Sequence, residues 1–311
     1  MNFAADALSY DLDALRERVL PESGGAVTES IPQLAEADAG QCGIALMTVD
    51  GDSRSSREAD VEFSIQSAVK PFLFALALQD TDRAALTRVG IEPTGEAFDA
   101  IKLESGTGRP PNPMVNAGAL LTSSIVDGGN ADARSARIAE GLSAFAGCEL
   151  RVDEEIAESE QRLGDRNRAL AHLMRSEETL RVETDDAIAV YGRACATLVT
   201  AETLAAMGAT LAAGGLNPRT GERVISREVA RDVISVMATC GVYDGSGRWM
   251  REVGVPAKSS VSGAIVLAAP GVLGAAVFSP PLDEQGTSVR GHRASARLSE
   301  DLSLHAFGVP R

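Results

Sequence analysis

The run Phe72-Leu73-Phe74-Ala75-Leu76-Ala77-Leu78 limits this chain's fold more than any other stretch; it is entered through Ser67-Ala68-Val69-Lys70-Pro71. An unbroken apolar segment rich in Leu and Ala, without glycine, is too long for an ordinary core strand. It predicts a helix buried nearly all round. Pro71 would break such a helix in its interior but is tolerated in the first turn, where a backbone N–H has no partner. The helix therefore starts near Ser67 to Lys70, and these two residues share one face of its first turn. A serine hydroxyl becomes a nucleophile only when something takes its proton, and a lysine does so only as a neutral amine. Burial and the positive end of a helix dipole both penalise the ammonium form. Ser67 and Lys70 are thus a candidate nucleophile and base, against the plain alternative that the spacing is coincidence.

With 311 residues the chain is long enough for one large domain or two intimate subdomains. Its net charge of −15 argues against nucleic acid and anionic membrane as partners, since both select basic surfaces. Met1 to Leu20 contains no apolar segment of the signal-peptide kind, so the cytoplasm is the expected compartment. Gly263 to Phe278 is apolar but interrupted by Pro270, Gly271 and Gly274, which predicts two strands and a turn instead of a membrane span. Cys42, Cys148, Cys195 and Cys240 are scattered, as expected of reduced thiols. His172, His292 and His305 fall in no ligand spacing, and no Gly-rich phosphate loop is present, so neither metal nor cofactor is expected. Arginine supplies almost every cation: there are 26, against only Lys70, Lys102 and Lys258. Arginine cannot lose its proton, so a position that needs a neutral amine must keep lysine.

In chain order, residues 5–20 predict one amphipathic helix, with Leu8, Leu12, Leu15 and Val19 at helical spacing. Gly43 to Val49 predicts a strand, Asp50-Gly51 a hairpin turn, and Ser53 to Arg57 its partner. From Asp80 to Thr239 the pattern is mostly helical, with Ser123 or the turn near Gly129 separating short helices. Arg134 to Phe145 stops at Gly147, and caps are expected at Thr184, Thr200 and Ser226. The hairpin of 264–269 and 273–278 and a last helix over 289–307 follow. This order predicts an α/β (α+β) protein: an antiparallel sheet flanked by terminal helices, about 1–62 and 241–311, with an all-helical subdomain over about 63–240.

Three further segments carry chemistry. Gly108-Arg109-Pro110-Pro111-Asn112-Pro113-Met114-Val115-Asn116 is a proline-stiffened loop. Asn116 there either offers donor and acceptor to a zwitterionic ligand or caps the next helix. Glu160 to Ala169 is a dense charge cluster, by itself a solvated face. Lys258-Ser259, entering the late hairpin, is either a polar strand entry or a cation beside backbone N–H groups able to form an oxyanion hole. Tyr191 and Tyr243, read alone, are core aromatics.

Ser67-x-x-Lys70, a helical insertion and Lys258-Ser259 on a late strand together resemble the serine β-lactamase and penicillin-binding fold. The closer resemblance is to the serine-dependent glutaminases on that fold. It is carried by Ile65-Gln66-Ser67-x-x-Lys70, Pro110 to Gly118, Gly164-Asp165-Arg166-Asn167-Arg168-Ala169, Gly215-Leu216-Asn217-Pro218-x-Thr220-Gly221-Glu222 and Phe278 to Gly286. These blocks run from about residue 40 to 293. The resemblance implies hydrolysis of L-glutamine to L-glutamate and ammonia by a single domain, 1–311, with no cofactor. Ser67 would form a γ-glutamyl ester with Lys70 as base, and the N–H groups of Ser67 and Val261 would make the oxyanion hole. Tyr191 and Tyr243 would pass the proton onward, while Asn116, Glu160, Asn167 and Tyr191 would grip the substrate, Glu160 its ammonium. Gln66, Lys258 and Ser259 would support the site, and homodimers or homotetramers are usual in that family. The chain departs from the pattern at Ser260 and Ala264, where glycines are usual, and at Gly192-Arg193-Ala194, where a bulkier stretch follows the tyrosine. A Cβ at position 260 is expected to shift the Val261 amide. The alternatives are a penicillin-type serine hydrolase, distinguished by cephalosporin turnover, and a non-catalytic relative, distinguished by failure of a glutamine-derived diazoketone to label Ser67.

Overall fold

The computed structural model describes residues 3–95 and 100–308; residues 96–99 of the expected helical subdomain and both ends of the chain lie outside it. The chain begins with helices α1 (Phe3–Ser9), α2 (Leu12–Val19) and α3 (Pro32–Ala35), then strands β1 (Gly43–Thr48), β2 (Ser53–Ser55) and β3 (Phe63–Ser64). Helices α4 (Lys70–Asp80), α5 (Asn116–Ile125), α6 (Ala131–Ala146), α7 (Glu154–Leu163), α8 (Asp165–Ser176) and α9 (Thr184–Cys195) follow. Strand β4 (Leu198–Val199) leads to α10 (Ala201–Ala212), α11 (Arg227–Cys240) and α12 (Ser246–Glu252). Strands β5 (Ala257–Ser259), β6 (Ala264–Ala269) and β7 (Leu273–Phe278) and helix α13 (Val289–Asp301) complete the order.

One five-stranded antiparallel sheet, β2-β1-β7-β6-β5, joins the first and last strands of the chain, with Gly43 opposite Phe278 and Thr48 opposite Leu273. Each central strand is buried on both faces, which is why it reads as a continuous apolar run. Ile44, Leu46, Ile265, Leu267 and Val277 face Leu12, Leu15, Ala294 and Leu298 of α2 and α13. Ala45, Val266, Ala276 and Phe278 turn the other way, into the helical core around α4. Helix α10 lies across β7, β1 and β6 on that second face. Its approach is so close that a Cβ on Gly274 would lie 2.0 Å from the Ala209 nitrogen, so glycine is required there.

The buried helix forms as expected: every residue from Lys70 to Leu78 is buried, and Phe72 meets Phe145 of α6 with ring centroids 5.1 Å apart. Thr200 and Ser226 cap α10 and α11, accepting from Thr203 N and Val229 N, and Gly147 at φ +69° closes α6.

Other expectations need correction. Residues 5–20 form two helices, because the Asp11 side chain accepts from Ala14 N and starts a second one. Glu183, not Thr184, occupies the cap position of α9, and Thr184 is its first residue. Of the two expected breaks, Ser123 lies inside α5, and the helices separate at the other, the turn near Gly129 between Ile125 and Ala131. Strand β2 ends at Ser55: Ser56 N still reaches the Ile44 carbonyl, but Ile44 N donates to the Ser56 side chain. The last helix stops at Asp301, and Ser303, at φ +55°, cannot continue it.

Candidate active site

Ser67 does not open an ordinary α-helix. Gln66–Val69 form a 3₁₀ turn, and α4 begins at Lys70, whose N–H donates to the Ser67 carbonyl. Gln66 enters that turn at φ +48°, a left-handed conformation that a residue with a side chain rarely holds unless its surroundings fix it. Three contacts fix it. Ile65 N donates to the Thr197 carbonyl at 2.8 Å, and the Ile65 carbonyl accepts from Ala68 N at 3.1 Å. Phe63 just upstream stacks on Phe278 of the sheet, with centroids 3.9 Å apart.

Lys70 is fully buried at the positive end of α4. Its amine nitrogen lies 2.8 Å from Asn116 Oδ1, and the Asn116 amide nitrogen donates to Asn167 Oδ1 at 2.9 Å. Asn116 is therefore the first residue of α5 and not its cap: Val115 holds the cap position without a side-chain bond. Glu160 is on α7 and Asn167 on α8, and the break at Gly164 turns both toward one cavity. A Cβ at Gly164 would meet the Glu160 carbonyl at 2.7 Å. Burial raises the Glu160 carboxyl above its ordinary range, opposed by the Gln66 side chain and the Lys70 charge. Tyr191 of α9 is buried close by, and Gly192 leaves room for α9 against α7, since its Cβ would lie 3.2 Å from Glu160 Cβ. Burial, and next the Cys195 thiol, push the Tyr191 hydroxyl well up, which favours its protonated form.

The resulting cavity, about 220 Å³, is lined by Gln66, Ser67, Asn116, Glu160, Asn167, Tyr191 and Val261 among others. A cleft of about 450 Å³ bounded by Glu252, Arg297 and His305 is larger but holds no nucleophile beside a buried base. The smaller volume suits a ligand the size of a free amino acid. Six residues that sequence reasoning did not assign to the site also line it: Ser30, Ile31, Leu163, Gly164, Arg166 and Cys195. Cys195 stands four residues, one helical turn, beyond Tyr191, a spacing that could have found it. Ser30 and Ile31 reach the cavity from a distant loop and leave no local signal.

Val261 lies at the tip of the β5–β6 hairpin. Its four-residue loop, 260–263, is closed by Gly263 N donating to the Ser260 carbonyl at 3.0 Å, with Gly263 at φ +94°. Among the described residues, the backbone N–H groups of Ser67 and Val261 have no protein acceptor. Both residues line the cavity.

Lys258 and Ser259 stand otherwise than a polar strand entry would: both are fully buried and neither lines the cavity. The Lys258 amine donates to the Ser259 carbonyl at 2.5 Å and lies 3.8 Å from the centre of the Tyr243 ring. Burial, and then the Lys70 charge, hold its pKa well below the usual lysine value. Ser259 N is spent on the Gly241 carbonyl, so it adds no oxyanion donor. Tyr243 also stays behind the cavity wall; its ring lies 5.6 Å from the Lys70 amine and its hydroxyl 3.5 Å from the Ser259 carbonyl. All four cysteines are free thiols, Cys148 alone among them exposed. No helix of the described residues is long and apolar enough to cross a membrane.

The glutaminase family model matches residues 25–307. A glutaminase of Clavibacter michiganensis subsp. michiganensis is 71% identical over 302 residues, 97% of this chain and 93% of that protein. A glutaminase of Microcystis aeruginosa is 43% identical over 96% of this chain and 89% of its own length. Among solved structures, Mglu in its glutamate form superimposes with a TM-score of 0.92 at 46% identity, over 96% of this chain and 70% of that one. A probable glutaminase of Bacillus subtilis gives 0.89 at 33% identity, covering 97% and 98% of the two chains. With the serine β-lactamase-like architecture in place and matches of this length, the chain belongs to the glutaminase family.

Proposed function

We propose that this chain hydrolyses L-glutamine to L-glutamate and ammonia by way of an ester on Ser67. The observation that carries the reading is the Lys70 amine. It is buried at a helix N-terminus, one turn from a serine that lines a small cavity, and it meets a neutral amide at 2.8 Å. Burial and the positive end of the helix both penalise the ammonium form, which is what a base working near neutral pH requires.

Ser67 Oγ attacks the side-chain carbonyl carbon while Lys70 takes the hydroxyl proton. The N–H groups of Ser67 and Val261 receive the oxyanion. Lys70 returns its proton to the leaving nitrogen, ammonia departs, and the γ-glutamyl ester is cleaved by water with Lys70 again as base. Tyr191, kept protonated by burial, and Tyr243, beside the Lys70 amine, orient the pair and pass the proton onward. Glu160 holds the α-ammonium, and Asn116, Asn167 and Tyr191 hold the α-carboxylate. Gln66 in the lining, and Lys258 and Ser259 behind it, support these groups. The likeness to Mglu in its glutamate form supports an amino acid of this shape as the ligand.

The test is ammonia release from glutamine, asparagine and D-glutamine by wild type, Ser67→Ala and Lys70→Arg. Activity is expected for L-glutamine, abolished in the first variant and nearly so in the second, because Arg cannot act as base. Normal turnover in Lys70→Arg would end the mechanism. Cephalosporin turnover without glutaminase activity would end the substrate assignment. The same reading makes 1–311 one domain, with its sheet part about 1–62 and 241–311, working in the cytoplasm as a homodimer or homotetramer. Light scattering on the purified protein tests the assembly.

A further inference from the structure

Ser260 stands where a Cβ was expected to disturb the Val261 amide, and its hydroxyl is placed to do the opposite. The residue is fully buried. Its Oγ donates to the Ile65 carbonyl at 2.9 Å, across 195 positions of sequence, and lies 3.0 Å from Ser262 Oγ. One hydroxyl has one proton, so with Ile65 as its acceptor Ser260 receives from Ser262. The bonds then run in one direction, Ser262 to Ser260 to Ile65, and bracket Val261 on both sides. Ser262 N also approaches Ser260 Oγ, at 3.4 Å.

The Ile65 carbonyl belongs to the peptide that ends on the nitrogen of Gln66, the residue held at φ +48°. Its orientation sets where the next N–H, that of Ser67, points. The hairpin loop meanwhile is short and closed on itself, with Ser260 N on the Ala264 carbonyl at 2.8 Å and Gly263 N on the Ser260 carbonyl at 3.0 Å. Displacing Ser260 therefore displaces Val261 with it. Nothing else described joins the two loops by a hydrogen bond from residues 260–263 to residues 65–67.

We propose that Ser260 is a positioning residue: its hydroxyl ties the hairpin tip to the nucleophile turn and so fixes the spacing between the Val261 and Ser67 N–H groups. The proposal rests on those two groups forming the oxyanion hole. Substrate in the ground state is held by Glu160, Asn116 and Asn167 on other elements. Loss of the tie is thus felt where negative charge develops and not where the amino acid is gripped.

Ser260→Ala is the direct test, made on the full chain. It leaves the Ile65 carbonyl bonded to Ala68 N, so no buried acceptor is orphaned. Removing an oxyanion donor outright costs about 10²–10³ in rate. Loosening two donors is expected to lower kcat on the order of 10-fold, with KM for glutamine, Kd for glutamate and the melting temperature little changed. Ser262→Ala, which removes only the donation into Ser260, is expected to give a smaller loss of the same kind, and serves if the first variant does not fold. Unchanged kcat in the variant that folds would overturn the proposal. So would parallel losses in kcat, glutamate affinity and melting temperature, which mark general damage. Ser67→Ala, run alongside, separates the two levels: if it retains ammonia release, the reading of the site fails and not merely the role of Ser260.

Discussion

Replacing Asn116 by aspartate sets a carboxylate where a neutral amide now meets the Lys70 amine at 2.8 Å. The substitution is isosteric, so the change is almost purely one of charge. At an effective dielectric of about 20, the attraction across that distance is about 6 kcal/mol in favour of the ammonium. Burying a new carboxylate takes back part of this. If half survives, the proton is held more tightly by about two pH units. The base is then lost at neutral pH: kcat at saturating glutamine is expected to fall roughly 100-fold at pH 7, with the rising limb of the rate moving upward by about two units. Asn167 can rotate its amide to donate toward the new carboxylate, so the contact at 2.9 Å need not be lost. Asn116→Ala is the control, because it removes the acceptor without adding charge and should leave the limb in place. Ammonia release followed from pH 5 to 10 reads both quantities. An Asn116→Asp variant with wild-type kcat and an unmoved profile would refute the assignment of Lys70 as the base.

Three more outcomes follow from the same geometry. Glu160, its carboxyl raised by burial, must ionise to hold an ammonium, so KM for glutamine should rise as pH falls through that raised value; Glu160→Gln should show a high KM that no longer depends on acid. Lys258, its pKa depressed by burial, binds fewer protons folded than unfolded below the unfolded lysine value of about 10.4. It therefore makes stability rise with pH across about pH 7 to 8.5, below the range where thiols ionise, and Lys258→Met should flatten that slope in urea melts and raise the midpoint at pH 7. Phe72→Ala, which empties a fully buried ring site against Phe145, should cost about 3–5 kcal/mol in denaturant unfolding.

The serine turn was legible because Pro71 punctuates it and seven apolar residues can be only a buried helix. Thr200, Ser226 and Gly147 were legible for a related reason: each satisfies orphaned backbone groups locally, using its own atoms. Where tertiary contacts decide, the signal disappears. Leu8, Leu12 and Leu15 keep helical spacing across the break at Asp11, so the pattern cannot report it. Tyr10 leaves its helix to bond Asp301, 291 positions away. Of the site, Asn116, Glu160 and Asn167 carried no meaning from composition alone and gained it from the resemblance. Ser30 and Ile31 gained none from either. The serines at 260 and 262 were visible as departures, but whether a hydroxyl there harms or helps depends on a carbonyl 195 residues earlier.

The pairing of β1 with β7 has a consequence for how the protein is made. These strands, some 230 positions apart, are neighbours in the middle of the sheet. A ribosome releases the nucleophile, its base and the whole helical middle before β7, the inner partner of β1, exists. Those helices must wait, part-formed and with apolar surface open to chaperones, until the closing hairpin emerges. Enzyme competence therefore arrives late and all at once during synthesis, and chains cut short before residue 264 should yield aggregate instead of weak enzyme.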